Sequence, residues 1–392
     1  MKQRFIYILL FYWVFHFIIP ILGYLYYGEF INLYSDIIGY DGMIINTIVV
    51  TITICIVYFL PSKKYATFVP FNHAKSFFII SLSLAIYKFF IGGKYAGALE
   101  GSTNGMFISY LSMFFRKDVA FFLLFCLQKN FKSLFVYILL YVVLVTITGS
   151  RSAVIAVFFL YLYLPFFSYR KQMVSRLKKI VLFVALISPL LFFYGTSVRG
   201  DIDKDLLGKI IIGRISLIEV STIPIKQKED RSMDMTVYNE KYSLSNQLKQ
   251  SFNAISPIDP FEDDIAPNQY YRQIFLGRSF SFVQNSYMSI NMTLPAYFVL
   301  MSNKYIGSIL SVIFLVFLYL FWYKFSNNIY IFFMIFFCIY EMLYFFDFVM
   351  IIQHMFFIFL TLLALGKYEF VLNAFSTSLK KILQKRATNM RT

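Results

Sequence analysis

Apolar residues run in long blocks along most of this chain, near 5–27, 44–60, 76–91, 105–127, 133–149, 152–167 and 180–197. The polar stretch 198–281 follows, and then blocks near 282–302, 305–323, 329–346 and 347–366. About twenty consecutive apolar residues suffice for a helix to cross a bilayer. The blocks do not alternate apolar with polar positions, so they predict helices and not the strands of an outer-membrane barrel. The expected fold is an all-α polytopic membrane protein.

Charge sets the expected direction of each crossing. Lys2 and Arg4, the loop with Lys63, Lys64 and Lys75, the loop with Lys129 and Lys132, and the loop with Arg170, Lys171, Arg176, Lys178 and Lys179 are basic. The loop 28–43 carries Glu29, Asp36 and Asp41 and no Lys or Arg. Basic loops stay in the cytoplasm, so the start of the chain is expected inside and 198–281 outside. Eleven crossings would leave the basic tail (Lys380, Lys381, Lys385, Arg386, Arg391) outside, which the same rule opposes. The block 282–302 resolves the conflict, because it holds Gln284, Asn285, Ser286, Ser289, Asn291, Thr293 and Pro295. It reads as an amphipathic or re-entrant helix on the outer side. About ten transmembrane helices and one large outer (periplasmic) loop remain. The division is then a bundle over 1–197, an outer loop with interfacial helices over 198–304, further spans over 305–366 and a cytoplasmic tail over 367–392.

Composition agrees with a membrane protein: 59% of residues are hydrophobic, 21% aromatic, and the mean hydropathy is +0.68. The net charge of +16 is read as loop bias and not as nucleic-acid binding. Cys55, Cys126 and Cys338 all sit in apolar blocks and form no metal-binding pair. Residues 5–27 are too long and too aromatic for a cleavable signal and read as the first span. There is no P-loop or Gly-rich nucleotide motif, so a nucleotide-driven pump is not expected.

The polar residues left over are mostly arginines at the expected outer face. Ser150 and Arg151 stand where one apolar block ends and the next begins. The start of a helix attracts anions, and an arginine there adds a forked donor; a snorkelling anchor is the other reading. Arg116 lies inside an apolar block, where a charge is costly and usually faces a cavity. Arg199, Arg214, Arg272 and Arg278 belong to the long loop. The segment from Leu206 to Ile225 has helical apolar spacing and is expected on the outer membrane surface or within the loop's own core. Candidate acids are Glu341, Asp347, Glu219 and the loop cluster Glu262, Asp263, Asp264.

Thr148-Gly149-Ser150-Arg151-Ser152 at a span boundary, one long late loop, and Gln284-Asn285-Ser286-Tyr287-Met288 followed by Tyr305-Ile306-Gly307 opening a span together resemble the O-antigen polymerase family of the Wzy type. The wider group includes the O-antigen ligases, in which a histidine stands where this chain has Gln284. A glutamine is no general base, so the polymerase is the better likeness. The resemblance implies a glycosyltransferase of the bacterial inner membrane, multi-pass, with both termini cytoplasmic. It would join undecaprenyl-diphosphate-linked oligosaccharides into O-antigen or capsule at the periplasmic face. Arg151 and Arg116, with Arg214, Arg199, Arg272 and Arg278, would hold the lipid diphosphate as charge develops on it. Ser150, Asn285 and Tyr287 would contact substrate, and Glu341 or Asp347 would help deprotonate the acceptor. No cofactor and no metal are expected; the partners are membrane lipid, the lipid-linked substrates and a separate chain-length regulator, with no nucleic acid. Two rivals stay open: a polyprenyl-phosphate-sugar glycosyltransferase using Glu29, Asp36 and Asp41, and a lipid-linked-oligosaccharide flippase.

A reporter joined after Thr392 is expected to read cytoplasmic; an outer-face signal rejects the ten-span map.

Overall fold

The computed structural model describes residues 1–30, 40–63, 74–92, 108, 111–127, 131–147, 182, 212, 218–229, 244–255, 292–344, 346, 348–349 and 351–364. Regular structure among them is helical, apart from isolated bridges, one of which pairs Met292 with Phe346 antiparallel. The helices are α1 (Lys2–Tyr27), α2 (Asp41–Phe59), α3 (Ala74–Gly92), α4 (Lys117–Leu127), α5 (Phe131–Ile147) and α6 (Ile218–Glu229). The rest are α7 (Leu244–Ile255), α8 (Leu294–Met301), α9 (Lys304–Phe325), α10 (Ile329–Tyr344) and α11 (Ile351–Ala364).

Three of these helices, α1, α2 and α9, are long and apolar enough to cross a membrane, with 26, 19 and 22 residues. Their outward faces make the same case. Ile44, Ile48, Ile52 and Ile56 recur every fourth residue of α2, and all are exposed. Ile306, Leu310, Ile313, Phe317 and Leu320, spaced alternately by four and three residues, form a like exposed stripe on α9. Continuous aliphatic stripes of this kind have no place in water, and hydrocarbon is the solvent that suits them.

Local chemistry sets the ends of these helices. Pro20 has no amide hydrogen and its ring crowds the carbonyl four residues back. The turn just before it, Val14–Ile18, widens to a π-helix, which absorbs that conflict and lets α1 continue. Gly28 closes α1 in the left-handed conformation, and its amide donates to the Tyr24 carbonyl at 2.8 Å. Leu60, extended before Pro61, ends α2. The Asn303 side chain accepts from the amides of Tyr305 and Ile306 and caps the start of α9. Asn328 does the same for α10 through Tyr330 and Ile331.

The core lies where α1, α2, α9 and α10 meet. Phe5, Tyr319, Trp322, Phe332 and Phe336 interlock there, with Phe5 edge-on to Tyr319 at 5.2 Å and Trp322 against Phe332 at 5.0 Å. Helix α10 is buried on every side from Tyr330 to Ile339, as a central helix of an apolar bundle should be. At one end of the bundle Lys63 donates to the Tyr323 carbonyl at 2.8 Å and to Asn327 Oδ1 at 3.1 Å. Lys2 donates to the Tyr58 carbonyl and Tyr319 to that of Pro61, so α1 begins where α2 and α9 finish. The amine of Met1, against the Lys63 carbonyl, is pulled down to about 6 by burial and then by Arg4. Helices α2 and α9 therefore run parallel, and α1 runs against them.

Helix α8 is different. Its 8 residues span about 12 Å, too little to cross a bilayer, yet Leu294, Pro295, Ala296, Tyr297, Val299 and Leu300 are buried. It turns back on α9 through Ser302 and Asn303. The two backbones touch at Gly307, where a Cβ would lie 2.5 Å from the Val299 amide nitrogen and 2.6 Å from its Cα. Phe346 seals the deep end against Tyr297, Phe298 and Phe314, and its amide donates to the Met292 carbonyl at 2.9 Å.

Gly307→Val should cost about 1–3 kcal/mol, because the neighbour it strikes is backbone and cannot rotate away. Thermal unfolding of the purified protein in detergent checks this; an unchanged midpoint rejects the close packing.

Candidate functional site

The end of the bundle opposite Lys63 gathers the polar residues. Helix α2 begins there with Asp41, α6 ends there with Lys228 and Glu229, and α9 begins there with Lys304. Lys304 Nζ pairs with a carboxylate oxygen of Glu229 and lies 3.4 Å from Asp41 Oδ1. Each carboxylate suits its position electrostatically only in part. Asp41 favours the positive start of α2, whereas Glu229 at the end of α6 needs the Lys304 ammonium to offset the helix dipole. All three side chains are about one third exposed, so their mutual attraction contributes little stability. Its effect is to hold three elements in one arrangement.

Lys228 does the more consequential work. Its ammonium donates to the carbonyls of Val299 at 2.9 Å and Leu300 at 2.8 Å, and to that of Ser302. Those are the acceptors that a helix leaves unmade at its C-terminal end, and a cation there also meets the negative end of the dipole. Burial pulls the Lys228 ammonium below the ordinary lysine value. A helix of the long loop thus closes the end of the short buried helix.

Beneath this charged cluster lies a layer of uncharged polar groups. Helices α2 and α6 touch at Gly42, where a Cβ would stand 2.6 Å from Thr222 Oγ1 and 2.8 Å from the Ser221 carbonyl carbon. One turn deeper on α2, Asn46 Oδ1 accepts from the Tyr12 hydroxyl at 2.8 Å, and both residues are buried. The Tyr12 hydroxyl also interacts with Thr293, the residue that precedes α8. Asn46 Nδ2, Thr222 Oγ1 and Thr293 Oγ1 are buried without a well-formed hydrogen bond of their own. The His16 ring, within the π-helical turn of α1, lies tilted against Tyr12 with ring centres 4.2 Å apart. The layer offers hydroxyl and amide groups and no fixed charge.

Arg116 lies elsewhere. It is buried, its carbonyl accepts from the Ala120 amide at the start of α4, and its guanidinium stands 5.6 Å from the Phe337 ring centre, midway along α10. The preceding residues hold it there: Tyr330 donates to the Phe114 carbonyl, and Phe115 packs on Phe77, which packs on Tyr330. Tyr330 follows the Lys63-bound turn by a few residues. Arg116 is thus held beside the middle of α10, and the arginines expected to join it, Arg151 among them, lie outside the described residues. Its block is broken at Arg116, so α4 begins afresh at Lys117 instead of continuing one straight span. Asp118 accepts from the Tyr141 hydroxyl.

Glu341 falls in the last turn of α10, with its side chain outside the described residues. Ser150, Arg151, Arg199, Arg214, Arg272, Arg278, Asn285, Tyr287 and Asp347 also lie outside them. No three or more His, Cys, Asp or Glu side chains among the described residues converge to hold a metal ion. The sequence reading passes over Lys228, Lys304, Tyr12 and Asn46. Only Asn46 carries a local signal, a lone amide within an apolar block. No known protein family matches the chain, and neither the characterised proteins nor the solved structures hold a match to it.

Lys228→Met keeps the length of the side chain and strands the carbonyls of Val299, Leu300 and Ser302. It should destabilise the fold by about 1–3 kcal/mol, more than Lys304→Met at the exposed ion pair. Unfolding curves of both variants test the order; equal losses reject the capping role.

Proposed function

We propose that this chain is a membrane glycosyltransferase that joins oligosaccharide units carried on undecaprenyl diphosphate, acting at the outer face of the inner membrane. The observation that carries the reading is the polar cluster at the Lys304 end. A helix of the long loop, α6, and the short buried helix α8 are locked into the bundle over a layer of neutral polar groups. A lipid-linked sugar needs such a place, open to water for the glycan and level with the hydrocarbon for its carrier. The parallel run of α2 and α9, with Met1 and Lys63 at the other end, agrees with a ten-span map whose basic end is cytoplasmic. On that map α8 is a re-entrant half-helix that enters from the outer side and returns.

The sugar–diphosphate bond breaks with charge accumulating on phosphate. Arg151, in the Thr148-Gly149-Ser150-Arg151-Ser152 segment, is the residue we assign to that charge. Arg199, Arg214, Arg272 and Arg278 of the long loop would assist in holding the diphosphate, with Ser150, Asn285 and Tyr287 against the sugars. Glu341 or Asp347 would take the acceptor proton. Arg116, buried beside Phe337, would supply a further cation for the same charge. Holding two lipid-anchored substrates in register is itself a large share of such catalysis. The metal-dependent rival loses ground because Asp41, one of its three acids, is engaged with Lys304.

Arg151→Ala should lower polymer formation by about a hundredfold or more, the usual loss when one preorganised donor is removed. Arg151→Lys, which keeps the charge and loses the fork, should retain part of it. The readout is the glycan ladder of a strain lacking the native gene, beside the amount of inserted protein. Full-length chains from the alanine variant reject the assignment. Movement of lipid-linked units across vesicles without chain growth favours the flippase.

A further inference from the structure

Helix α7 (Leu244–Ile255) has its polarity reversed for a helix in water. Gln247, Gln250 and Ser251 face inward, at 1%, 7% and 3% exposure. Leu248 and Phe252 face outward, at 48% and 67%. The apolar positions Leu248, Phe252 and Ile255 form one stripe along about two turns. Its inner edge is held by polar bonds: the Tyr297 hydroxyl donates to Gln247 Oε1, Gln247 Nε2 lies 3.8 Å from Met301 Sδ, and Ser251 donates to the Gln247 carbonyl at 2.6 Å.

We infer that α7 lies in the plane of the membrane surface, with Leu248 and Phe252 among the acyl chains of the bilayer. Three observations name lipid as the occupant. Polar groups take the protein-facing side, so the exposed apolar stripe is the side left for solvent. Gln247 rests on Met301, which is itself exposed and lies a few residues before Tyr305, Ile306 and Ile309, the outward face at the start of a helix long and apolar enough to cross a membrane. The apolar face of α7 thereby continues that lipid-facing surface. Lys249 is exposed beside Leu248, so a cationic residue borders the apolar stripe. The polar stretch 198–281 is then folded onto the bilayer at α7 and does not stand free as a water-soluble domain. This inference is independent of the reaction proposed above.

The test uses the full chain with Cys55, Cys126 and Cys338 replaced by alanine, reconstituted in phosphatidylcholine–phosphatidylglycerol vesicles. Leu248→Cys, Phe252→Cys, Lys249→Cys and Ile309→Cys are spin-labelled one at a time. Collision rates with oxygen, which enters the hydrocarbon, and with a water-soluble nickel complex are compared. The expected result is an oxygen-to-nickel ratio at 248 and 252 as high as at 309, with a lower ratio at 249. A nickel-dominated ratio at 248 and 252 overturns the inference. So does spin–spin broadening between labels at 248, which would mark this face as a contact between two copies of the chain.

Discussion

A helix that stops inside an apolar bundle sets free backbone groups that no water is there to satisfy, and each costs several kcal/mol if left unpaired in hydrocarbon. The arrangement at the Lys304 end follows from that constraint. Helix α8 stops after 8 residues, and its last carbonyls are taken by Lys228. The chain turns at once into α9, whose first amides are taken by Asn303. Just before α8, the Met292 carbonyl is taken by the amide of Phe346. Two of these three interruptions have a partner from a different part of the chain. The short helix exists because α6, α9 and the segment after α10 converge on it.

That convergence creates the polar layer. Gly42 lets α6 approach α2 to backbone contact, which brings Thr222 down beside the turn that carries Asn46. Tyr12 reaches Asn46 from α1 and Thr293 from below α8. Four helices therefore contribute to one stratum of hydroxyl and amide groups under a rim of charged residues. The π-helical turn that precedes Pro20 belongs to the same stratum through His16. Helix packing and buried polar chemistry share their residues here, and Asn46 Nδ2, Thr222 Oγ1 and Thr293 Oγ1 are buried there without hydrogen bonds.

Two polarities run through the molecule. The core around Trp322, Tyr319 and α10 is apolar and aromatic, packed as in any protein interior. The outward stripes of α2 and α9 are also apolar, which is the mark of a lipid solvent. Helix α7 takes part in both patterns, with amides turned to the protein and Leu248 and Phe252 turned away from it. The charged network Asp41–Lys304–Glu229 sits at the boundary between these regimes, where water still screens it.

The all-helical class and the membrane-length segments over α1, α2 and α9 were legible in the order of residues, because block length and the absence of alternation act locally. So were the ends of helices: Pro61 after Leu60, Gly28 after Tyr27, Asn303 before Lys304. The candidate site was legible only in part. Nothing within a few residues of Lys228 says that its target is a helix some seventy positions later. Arg116 looked like its fellow arginines, and its actual neighbours, Phe337 and the Tyr330 turn, come from more than two hundred residues away. Sequence alone determined which stretches avoid water, since that depends on side chains one at a time. Only the tertiary structure decided which charges and amides meet, since long-range pairing depends on how helices pack and on the few places, such as Gly42 and Gly307, where backbones can touch.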